Sequence, residues 1–394
     1  MSERKLAAET ALIHGGLERS QFGETAEALY LTSGFVYESA EQAEARFKGE
    51  DDGFIYSRYG NPTVGLFEQR MAELEGTETC FATASGMAAV YSALTCQLKA
   101  GDHVVASQVL FGSCLQVITS ILPRFGVEFT LVDGADLAAW EAAIRPNTAL
   151  FFCESPANPT LALVDIAGVA RLAKQADACF VVDNAFASPA VQNAKNLGAD
   201  VVVYSATKHI DGQGRCLGGA VLCSNDFFKE KLQPFVRHAG PAMSPFNAWV
   251  LAKSLETLDL RVDRMSSTTA KIATALEAMP FTEKVSYPGL SSHPQFSLAQ
   301  SQMKSGGSLL TLRVKGGKAE AFKFLNNLQI IKISNNLGDS KTLATHPATT
   351  THRTLTGEDR EICGITDNLL RLSIGLEAPD DLIADIERAG TSKT

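Results

Sequence analysis

Between residues 77 and 225, short apolar segments alternate with amphipathic ones, and this alternation constrains the fold more than any other feature of the sequence. Segments that are apolar along their whole length and separated by helices are typical of a parallel sheet buried on both faces. The strand candidates are TCFATAS, HVVAS, VEFTLV, TALFFCE, CFVVDN and DVVVYSA. The helix candidates between them are 87–98, 112–122, 136–144 and 165–176. We therefore expect an α/β fold whose main sheet is mostly parallel.

The regions that flank this sheet divide the 394-residue chain into three predicted parts. Residues 1–60 lack steady periodicity, and we expect them to form an arm that contacts a neighbouring subunit. Residues 61–250 form the α/β domain, and residues 251–394 form a smaller α+β domain. Between the two, residues 246–279 contain neither Gly nor Pro and predict one long amphipathic helix. Further strands are predicted at SLLTLRV and LLRLSI, and further helices at 318–328 and 379–389.

Charge and composition exclude several classes of function. The net charge of −9 makes nucleic acid and an anionic membrane surface poor partners. No segment approaches the roughly 18 apolar residues of a membrane span. The start, MSERKLAAETALIHGG, has no apolar core of signal-peptide length, so we expect a cytoplasmic protein. The eight cysteines form no C-x-x-C pair and none has zinc-type histidine spacing, so we expect reduced thiols and no metal site.

The residues with the clearest chemical potential lie between 181 and 219. Asp183 ends one predicted strand, at the sheet edge where open α/β folds bind ligands, although it could equally cap a helix. Lys208 follows the next strand, DVVVYSA, and lies just after the hydroxyls of Ser205 and Thr207. Burial there would lower the pKa of the lysine and leave an amine that can attack a carbonyl. A lysine at this position is more often simply solvated, so S-x-T-K alone is a weak signal.

Three other fragments fit the same site. Backbone N–H groups of SGM at 85–87, where a helix begins, could bind a phosphate, although Ser85 could be only a cap. ESPANP at 154–159 places Asn158 after a strand, although the segment could be only a proline-rich turn. Phe111 lies at a strand-to-helix turn, where it could stack on a ring or simply pack in the core. A lysine, a phosphate cradle and an acid are the parts that pyridoxal 5′-phosphate (PLP) requires.

Seven fragments occur in an order and spacing that resembles the Cys/Met-metabolism PLP-dependent enzymes, over about residues 25–385. They are YSRYGNPT, SGM, ESPANP, VVDNAF, SATKH, HPATTTH and RLSIGLE. The family includes cystathionine γ-synthase, the cystathionine and methionine γ-lyases and the homoserine-ester sulfhydrylases. The resemblance implies the aspartate-aminotransferase-type fold (fold type I), PLP as cofactor, and a tetramer built from two tight dimers.

The resemblance also implies a role for individual residues. Lys208 would be the Schiff-base lysine and Asp183 the partner of the pyridinium nitrogen. Arg371, in RLSIGLE, would bind the substrate α-carboxylate, although without the family it reads as a surface arginine. Tyr56 and Arg58 would reach the phosphate in a neighbouring subunit. The remaining cofactor contacts would be Ser85, Gly86, Met87, Phe111, Asn158, Ser205 and Thr207.

Departures from the common family pattern indicate a branch. Phe111 stands where Tyr is usual, and NLGDSKTL has Asn336 and Lys341 where lyases have Ser and Glu. Together with HPATTTH and HIDGQGR, this resembles the O-succinylhomoserine sulfhydrylases, which join sulfide to a homoserine ester. Arg215 or Lys341 could bind the distal carboxylate of the succinyl group, and Asn336 could contact substrate. The alternatives are an O-acetylhomoserine sulfhydrylase, cystathionine γ-synthase or a γ-lyase, or a binding protein without PLP.

Overall fold

The computed structural model describes residues 7–353 and 355–392, which form two sheets covered by helices. The larger sheet has seven strands in the order β1-β7-β6-β5-β4-β2-β3. Their bounds are β1 Thr79–Thr83, β2 His103–Ser107, β3 Glu128–Val132, β4 Thr148–Glu154, β5 Cys179–Asp183, β6 Val201–Ser205 and β7 Gly219–Cys223. All six strands predicted for this region are present. The sequence analysis missed β7, which pairs antiparallel with both β1 and β6, so the sheet is mainly parallel as predicted.

Helices pack on both faces of this sheet, because alternate residues of each central strand enter different cores. In β6, Val202 and Tyr204 join one apolar cluster, and Val201 and Val203 join the other. The helices up to the end of this region are α1 Ala8–His14, α2 Ala40–Lys48, α3 Pro62–Glu75, α4 Gly86–Thr95, α5 Gly112–Gln116, α6 Leu137–Ala142, α7 Ile166–Gln175, α8 Asn225–Phe227, α9 Gln233–Ala239 and α10 Pro245–Leu255. Burial on both faces explains why these strands are apolar throughout.

The smaller sheet has five strands in the order β10-β11-β12-β9-β8. They are β8 Thr282–Ser286, β9 Leu309–Val314, β10 Lys332–Ile333, β11 Leu343–Thr345 and β12 Leu369–Ser373. The helices of this region are α11 Leu258–Glu277, α12 Phe296–Gln302, α13 Lys318–Asn327, α14 Gly357–Ile362 and α15 Pro379–Thr391. Leu370 and Leu372 of β12 point into the core under α11, α13 and α15. Because side chains alternate along a strand, Arg371 points the other way, towards the larger sheet.

The prediction of one helix over 246–279 is wrong, since α10 ends at Leu255 and α11 begins at Leu258. The end of α10 needs no glycine because buried arginines supply donors for its last carbonyl groups. Arg70 donates to the Ala252 oxygen over 3.1 Å, and Arg261 donates to the Ser254 oxygen over 2.9 Å. Arg70 lies on α3, far away in sequence, so part of what ends α10 has no local sequence signal.

The N-terminal segment up to residue 60 carries α1 and α2 and exposes several large apolar side chains. Phe22, Leu31, Val36 and Phe47 are all exposed, and no residue of α2 is buried. The contact of this arm with another subunit, like the domain bounds at residues 60 and 250, stays a prediction. Among the described residues, no helix is both long and apolar enough to cross a membrane.

Candidate active site

A cavity of about 290 Å³ opens at the carboxyl ends of β4, β5 and β6, against the start of α4. Glu154 and Asp183 are register partners across β4 and β5, so their side chains leave the sheet on the same face. Ser205 ends β6 and lines the same cavity. Ten of the predicted site residues line it, namely Ser85, Gly86, Met87, Phe111, Asn158, Asp183, Ser205, Thr207, Lys208 and Arg371.

Lys208 reaches the cavity from the turn that follows β6. Its Nζ donates a hydrogen bond to Oδ1 of Asn336 over 2.7 Å, so the structure brings this predicted residue to the site as well. Burial, and secondarily the charge of Arg371, lowers the pKa of Lys208 to about 8. A neutral amine, the form that attacks a carbonyl, is therefore accessible near neutral pH.

Asp183 does not act as a helix cap but lies at the floor of the cavity. Its Oδ1 accepts the N–H of Ala185 over 3.0 Å. Burial raises its pKa to about 6, and Glu154 lies beside it on the next strand. Within the described residues neither carboxyl group forms an ion pair, so the site holds acidic groups without a counter-ion.

The start of α4 offers the cavity backbone N–H groups that the helix itself cannot use. Ser85 caps this helix by accepting the N–H of Ala88 over 3.1 Å, so its capping role and its place in the site are compatible. Gly86 permits the close approach of α4 to β6, because a β-carbon there would lie 2.6 Å from Cβ of Ser205. The helix N-terminus and the Ser205 hydroxyl therefore meet at one point, which suits an anion.

Arg371 is buried at the opposite wall, 1% exposed, so the interpretation as a surface arginine is wrong. Its Nη1 donates to Oδ1 of Asn158 over 2.9 Å, and its Nη2 donates to the Asn335 carbonyl over 2.9 Å. Its Nε has no hydrogen-bond partner, and no described carboxylate lies within ion-pair distance. A buried guanidinium that lacks an anionic partner can bind a ligand carboxylate by donating hydrogen bonds to it.

Besides Asn336, which contacts Lys208 but is not part of the lining, four predicted residues do not line the cavity. Arg215 donates from Nε to Oδ1 of the fully buried Asp211 over 3.0 Å, and Lys341 donates to Oδ1 of Asp339 over 2.9 Å. Tyr56 and Arg58 lie together on the arm, with the Arg58 guanidinium 5.7 Å from the centre of the Tyr56 ring. Arg58 also donates to the carbonyl of Arg237. None of these four side chains therefore belongs to the lining of the cavity that holds Lys208 of the same chain.

Comparison with known proteins identifies the family in which this arrangement of residues occurs. Residues 9–390 match the model of the "Cys/Met metabolism PLP-dependent enzyme" family. The chain belongs to this family.

Curated members of the family align with nearly the whole chain. An O-succinylhomoserine sulfhydrylase of Mycobacterium tuberculosis is 53% identical, covering 96% of this chain and 95% of its own. One from Pseudomonas aeruginosa is 47% identical, covering 97% of this chain and 94% of its own. An L-methionine γ-lyase of Porphyromonas gingivalis is 42% identical, covering 96% of this chain and 95% of its own.

Solved structures of relatives confirm the fold-type-I architecture. A Campylobacter jejuni protein that contains N′-pyridoxyl-lysine-5′-monophosphate superposes with a TM-score of 0.94 at 33% identity, over 98% of this chain and 100% of that one. The cystathionine γ-lyase of Lactobacillus plantarum superposes with a TM-score of 0.91 at 36% identity, over 98% of each chain. The predicted fold, family and cofactor are therefore confirmed.

The side chains around the cavity fit PLP. The acidic groups at its floor lack a cation, and a protonated ring nitrogen would supply one to Asp183. The α4 N-terminus and the Ser205 hydroxyl are donors for a phosphate. Lys208 has a depressed pKa and lies within the same cavity. Each chemical feature of the cofactor thus has a complementary group.

Sequence reasoning missed Glu154, although the sequence contained a signal for it. TALFFCE ends in a carboxylate at the same sheet edge as Asp183, yet only Asn158 was selected from the following ESPANP segment. It also missed Asn335 and Phe186, which line the cavity beside Arg371. The Arg371 guanidinium lies 5.7 Å from the centre of the Phe186 ring. These two have no local signal, because their loops become neighbours only when the two sheets pack together.

Proposed function

We propose that this chain is an O-succinylhomoserine sulfhydrylase, which converts O-succinylhomoserine and sulfide to homocysteine and succinate in methionine biosynthesis. The observation that carries the proposal is the 53% identity over 96% of the chain to the Mycobacterium tuberculosis enzyme of that name. The γ-lyase of Porphyromonas gingivalis is less similar, at 42% identity. The intact Asp183, Lys208 and Arg371 in one cavity support an active enzyme over a binding protein.

The residues that would hold PLP are those around the cavity. Lys208 would bind it covalently through its amine, and Asp183 would accept a hydrogen bond from the ring nitrogen. Phosphate would bind to Ser205, Thr207 and the backbone at Gly86 and Met87. The Phe111 ring would stack on the cofactor, and Asn158 would contact its phenolic oxygen. When bound, PLP acts as an electron sink for the amino-acid carbons of the substrate.

The other groups bind the substrate and move its protons. Arg371 would bind the α-carboxylate, because its buried guanidinium lacks a carboxylate partner in the described chain. The Lys208 amine, once released, would carry protons at Cα and Cβ, a role that a pKa of about 8 suits. Asn336 would orient that amine through its Oδ1. Phe111 has no ionisable group, so the proton transfers rest on Lys208.

The overall reaction replaces succinate by hydrosulfide at Cγ of the substrate, and its atoms and electrons balance. The bond from Cγ to the ester oxygen breaks, and succinate leaves with the electron pair. The sulfur of hydrosulfide forms the new bond to Cγ and retains its hydrogen, giving the thiol of homocysteine. Neither a metal nor an oxidant enters this balance.

A comparison of nucleophiles and esters tests the function. With the purified enzyme and O-succinylhomoserine, we expect homocysteine from sulfide and little 2-oxobutyrate when no nucleophile is added. Cystathionine from cysteine at equal efficiency would favour a cystathionine γ-synthase. Rapid 2-oxobutyrate release from methionine would favour a γ-lyase. Each product is identified by chromatography, so the assignments exclude one another.

The preference for the succinyl ester requires a cation near its distal carboxylate. A charge-assisted hydrogen bond contributes about 1.5–3 kcal/mol, or roughly ten- to a hundredfold in kcat/KM. Lys341 is the better candidate, because its side chain is 64% exposed and can change partner, whereas Arg215 neutralises the buried Asp211.

We expect Lys341→Ala to reduce the ratio of kcat/KM for succinyl over acetyl ester by roughly tenfold. Arg215→Ala serves as the comparison and should mainly lower stability. Equal values for both esters in the wild type would refute the preference itself. A ratio that neither substitution changes would show that another group binds the succinyl carboxylate.

We further propose that the enzyme works in the cytoplasm as a homotetramer of two tight dimers, with Tyr56 and Arg58 completing the site of a neighbouring subunit. Neither side chain lines the cavity around Lys208 of the same chain, which supports this, as does the exposed apolar surface of the arm. Mixing Arg58→Ala with Lys208→Ala chains should restore activity, because half the sites of a mixed dimer are then intact. Absence of recovery, with subunit exchange confirmed by mass, would contradict the shared site.

A further inference from the structure

Glu154 is a buried acid in the cavity to which the mechanism above gives no task. It ends β4, is 5% exposed and lines the cavity beside Asp183. The strand register makes the two carboxyl groups direct neighbours. One oxygen of each carboxyl group and the sulfur of Cys114 lie within 4.8 Å of one another.

Glu154 connects two loops that carry proposed cofactor contacts. Its Oε1 accepts the backbone N–H of Phe111 over 2.7 Å, at the start of α5. The backbone N–H of Asn158, in the loop after the same strand, also acts on this carboxyl group and lowers its pKa. One carboxyl group therefore links the end of β4 to the start of α5. An alanine would leave the Phe111 N–H without its acceptor, which is costly in a dry site.

The charges around Glu154 favour its neutral form. The groups that face it are Asp183 from β5 and the Cys114 thiol from α5, and no described cation pairs with either acid. Two buried like charges cannot both ionise cheaply, so the pair retains a proton. Burial and the charge of Asp183 raise the pKa of Glu154 to about 8, above that of Asp183. The pKa of the Cys114 thiol is raised well above its usual value, so it stays uncharged.

We propose that Glu154 is a positioning residue that acts in its protonated form. It holds the Phe111 backbone with Oε1, and it leaves Asp183 as the only negative charge opposite the ring nitrogen. One carboxylate then balances one pyridinium, whereas a second would leave an uncompensated charge in a buried site. The inference rests on the proposed pairing of Asp183 with PLP but not on the choice of substrate.

The first test is the protonation state, measured on the holoenzyme by infrared difference spectroscopy at neutral pH. We expect a C=O stretching band of a protonated carboxyl group in the wild type that disappears in Glu154→Gln. Glu68→Gln is a control, because Glu68 is half-buried, accepts the Ala82 N–H over 2.7 Å and has a pKa raised to about 8 by burial. A wild-type spectrum identical to that of Glu154→Gln would overturn the proposal.

The second test is cofactor affinity, measured by titrating PLP back into the apoenzyme and following absorbance. Glutamine reproduces a neutral glutamic acid, so Glu154→Gln should bind PLP within about threefold of wild type, whereas Glu154→Ala should weaken binding by roughly tenfold or more. Glu68→Gln should leave the affinity unchanged. A loss in Glu154→Gln as large as in Glu154→Ala would show that the charge is needed. Wild-type affinity in both would show that Glu154 positions nothing.

Neither measurement requires turnover, so the result is independent of the proposed sulfhydrylase activity. If Glu154→Ala does not fold, the infrared band and the affinity of Glu154→Gln still decide the question. A band that persists in Glu154→Gln but disappears in Asp183→Asn would place the proton on Asp183 and reverse the assignment.

Discussion

Two clusters of buried charge in this protein differ in whether opposite charges are present. At the active site, Glu154 and Asp183 lie side by side without a described cation. On α3, Arg70 is fully buried and pairs with Glu27, and Lys253 donates to Glu27 over 3.1 Å and to Glu256 over 2.5 Å. The first cluster is electrostatically incomplete, and the second is complete.

The pKa values follow this difference. Burial raises the pKa of Asp183 to about 6. Burial also acts to raise the pKa of Glu27, but hydrogen bonds from its own backbone, Lys253 and Arg70 outweigh it and hold that pKa below its usual value. Burial alone therefore does not mark a functional acid. A buried acid without its counter-ion indicates a place for a ligand, whereas a compensated one belongs to the scaffold.

The largest expected effect comes from replacing Lys208, which lines the same cavity as Glu154 and Asp183. Lys208→Ala should abolish turnover, because no other described amine lines the cavity to bind the cofactor and move protons. Homocysteine formation and the visible absorbance of bound cofactor measure the loss. Lys208→Arg is a matched control that keeps a positive charge and should also be inactive. Normal activity and absorbance in Lys208→Ala would refute its role.

The next effect concerns the charge of Asp183. Asp183→Asn keeps the shape of the side chain but removes the partner of the ring nitrogen. We expect kcat to fall by about 2–4 orders of magnitude, the scale for losing one preorganised electrostatic group. Steady-state kinetics at saturating PLP measure it, so that weaker cofactor binding does not contribute. A rate within a few-fold of wild type would contradict the comparison drawn above.

The compensated cluster should respond in stability and not in chemistry. Glu27→Gln leaves the buried Arg70 with a weaker partner and should lower the free energy of unfolding by about 3 kcal/mol. Urea denaturation measures this, and Glu128→Gln, at an exposed ion pair with Arg145, is a control expected to change stability by less than about 1 kcal/mol. PLP affinity should stay at the wild-type value. If Glu27→Gln greatly weakened PLP binding but left stability normal, this cluster would belong to the ligand site and not to the scaffold.

The smallest expected effect is the change of folding stability with pH, and its sign differs between the two clusters. The pKa of Asp183 is about 6 when folded and about 3.9 when unfolded, so its ionisation destabilises the folded apoenzyme increasingly as pH rises through this window. Asp183→Asn removes this cost. Its stability relative to wild type should therefore improve by roughly 1–2 kcal/mol between about pH 5 and about pH 7.5.

Glu27 has a lowered pKa, so its stabilisation is present above the unfolded pKa and is lost as pH falls through the folded one. The deficit of Glu27→Gln should therefore shrink in acid. Denaturation curves at several pH values check both trends. A deficit that grows in acid would contradict the low pKa of Glu27.

Much of the fold and the cofactor site was predictable, because strand burial and side-chain alternation are local. The continuous apolar runs ending at Asp183 and Ser205 indicated both the parallel sheet and the edge where ligands bind. The parts that were missed depend on distant neighbours. The prediction lacks β7 although GAVLC is an apolar run, and the break after Leu255 depends in part on Arg70, which lies far away in sequence. Arg215 was predicted near substrate, but Asp211 is already its partner.

The sequence by itself determined the family and the cofactor, because its seven fragments resemble those of the PLP-dependent enzymes. It also determined the position of Lys208 and Asp183, because strand periodicity places these residues at one edge of one sheet. Only the tertiary structure decided which charges meet. Glu154 faces Asp183 because β4 and β5 are neighbours in register, and Arg371 is buried because the smaller sheet closes over the larger one. The energy of a charge depends on distance and on burial, and both are set by segments far apart in sequence.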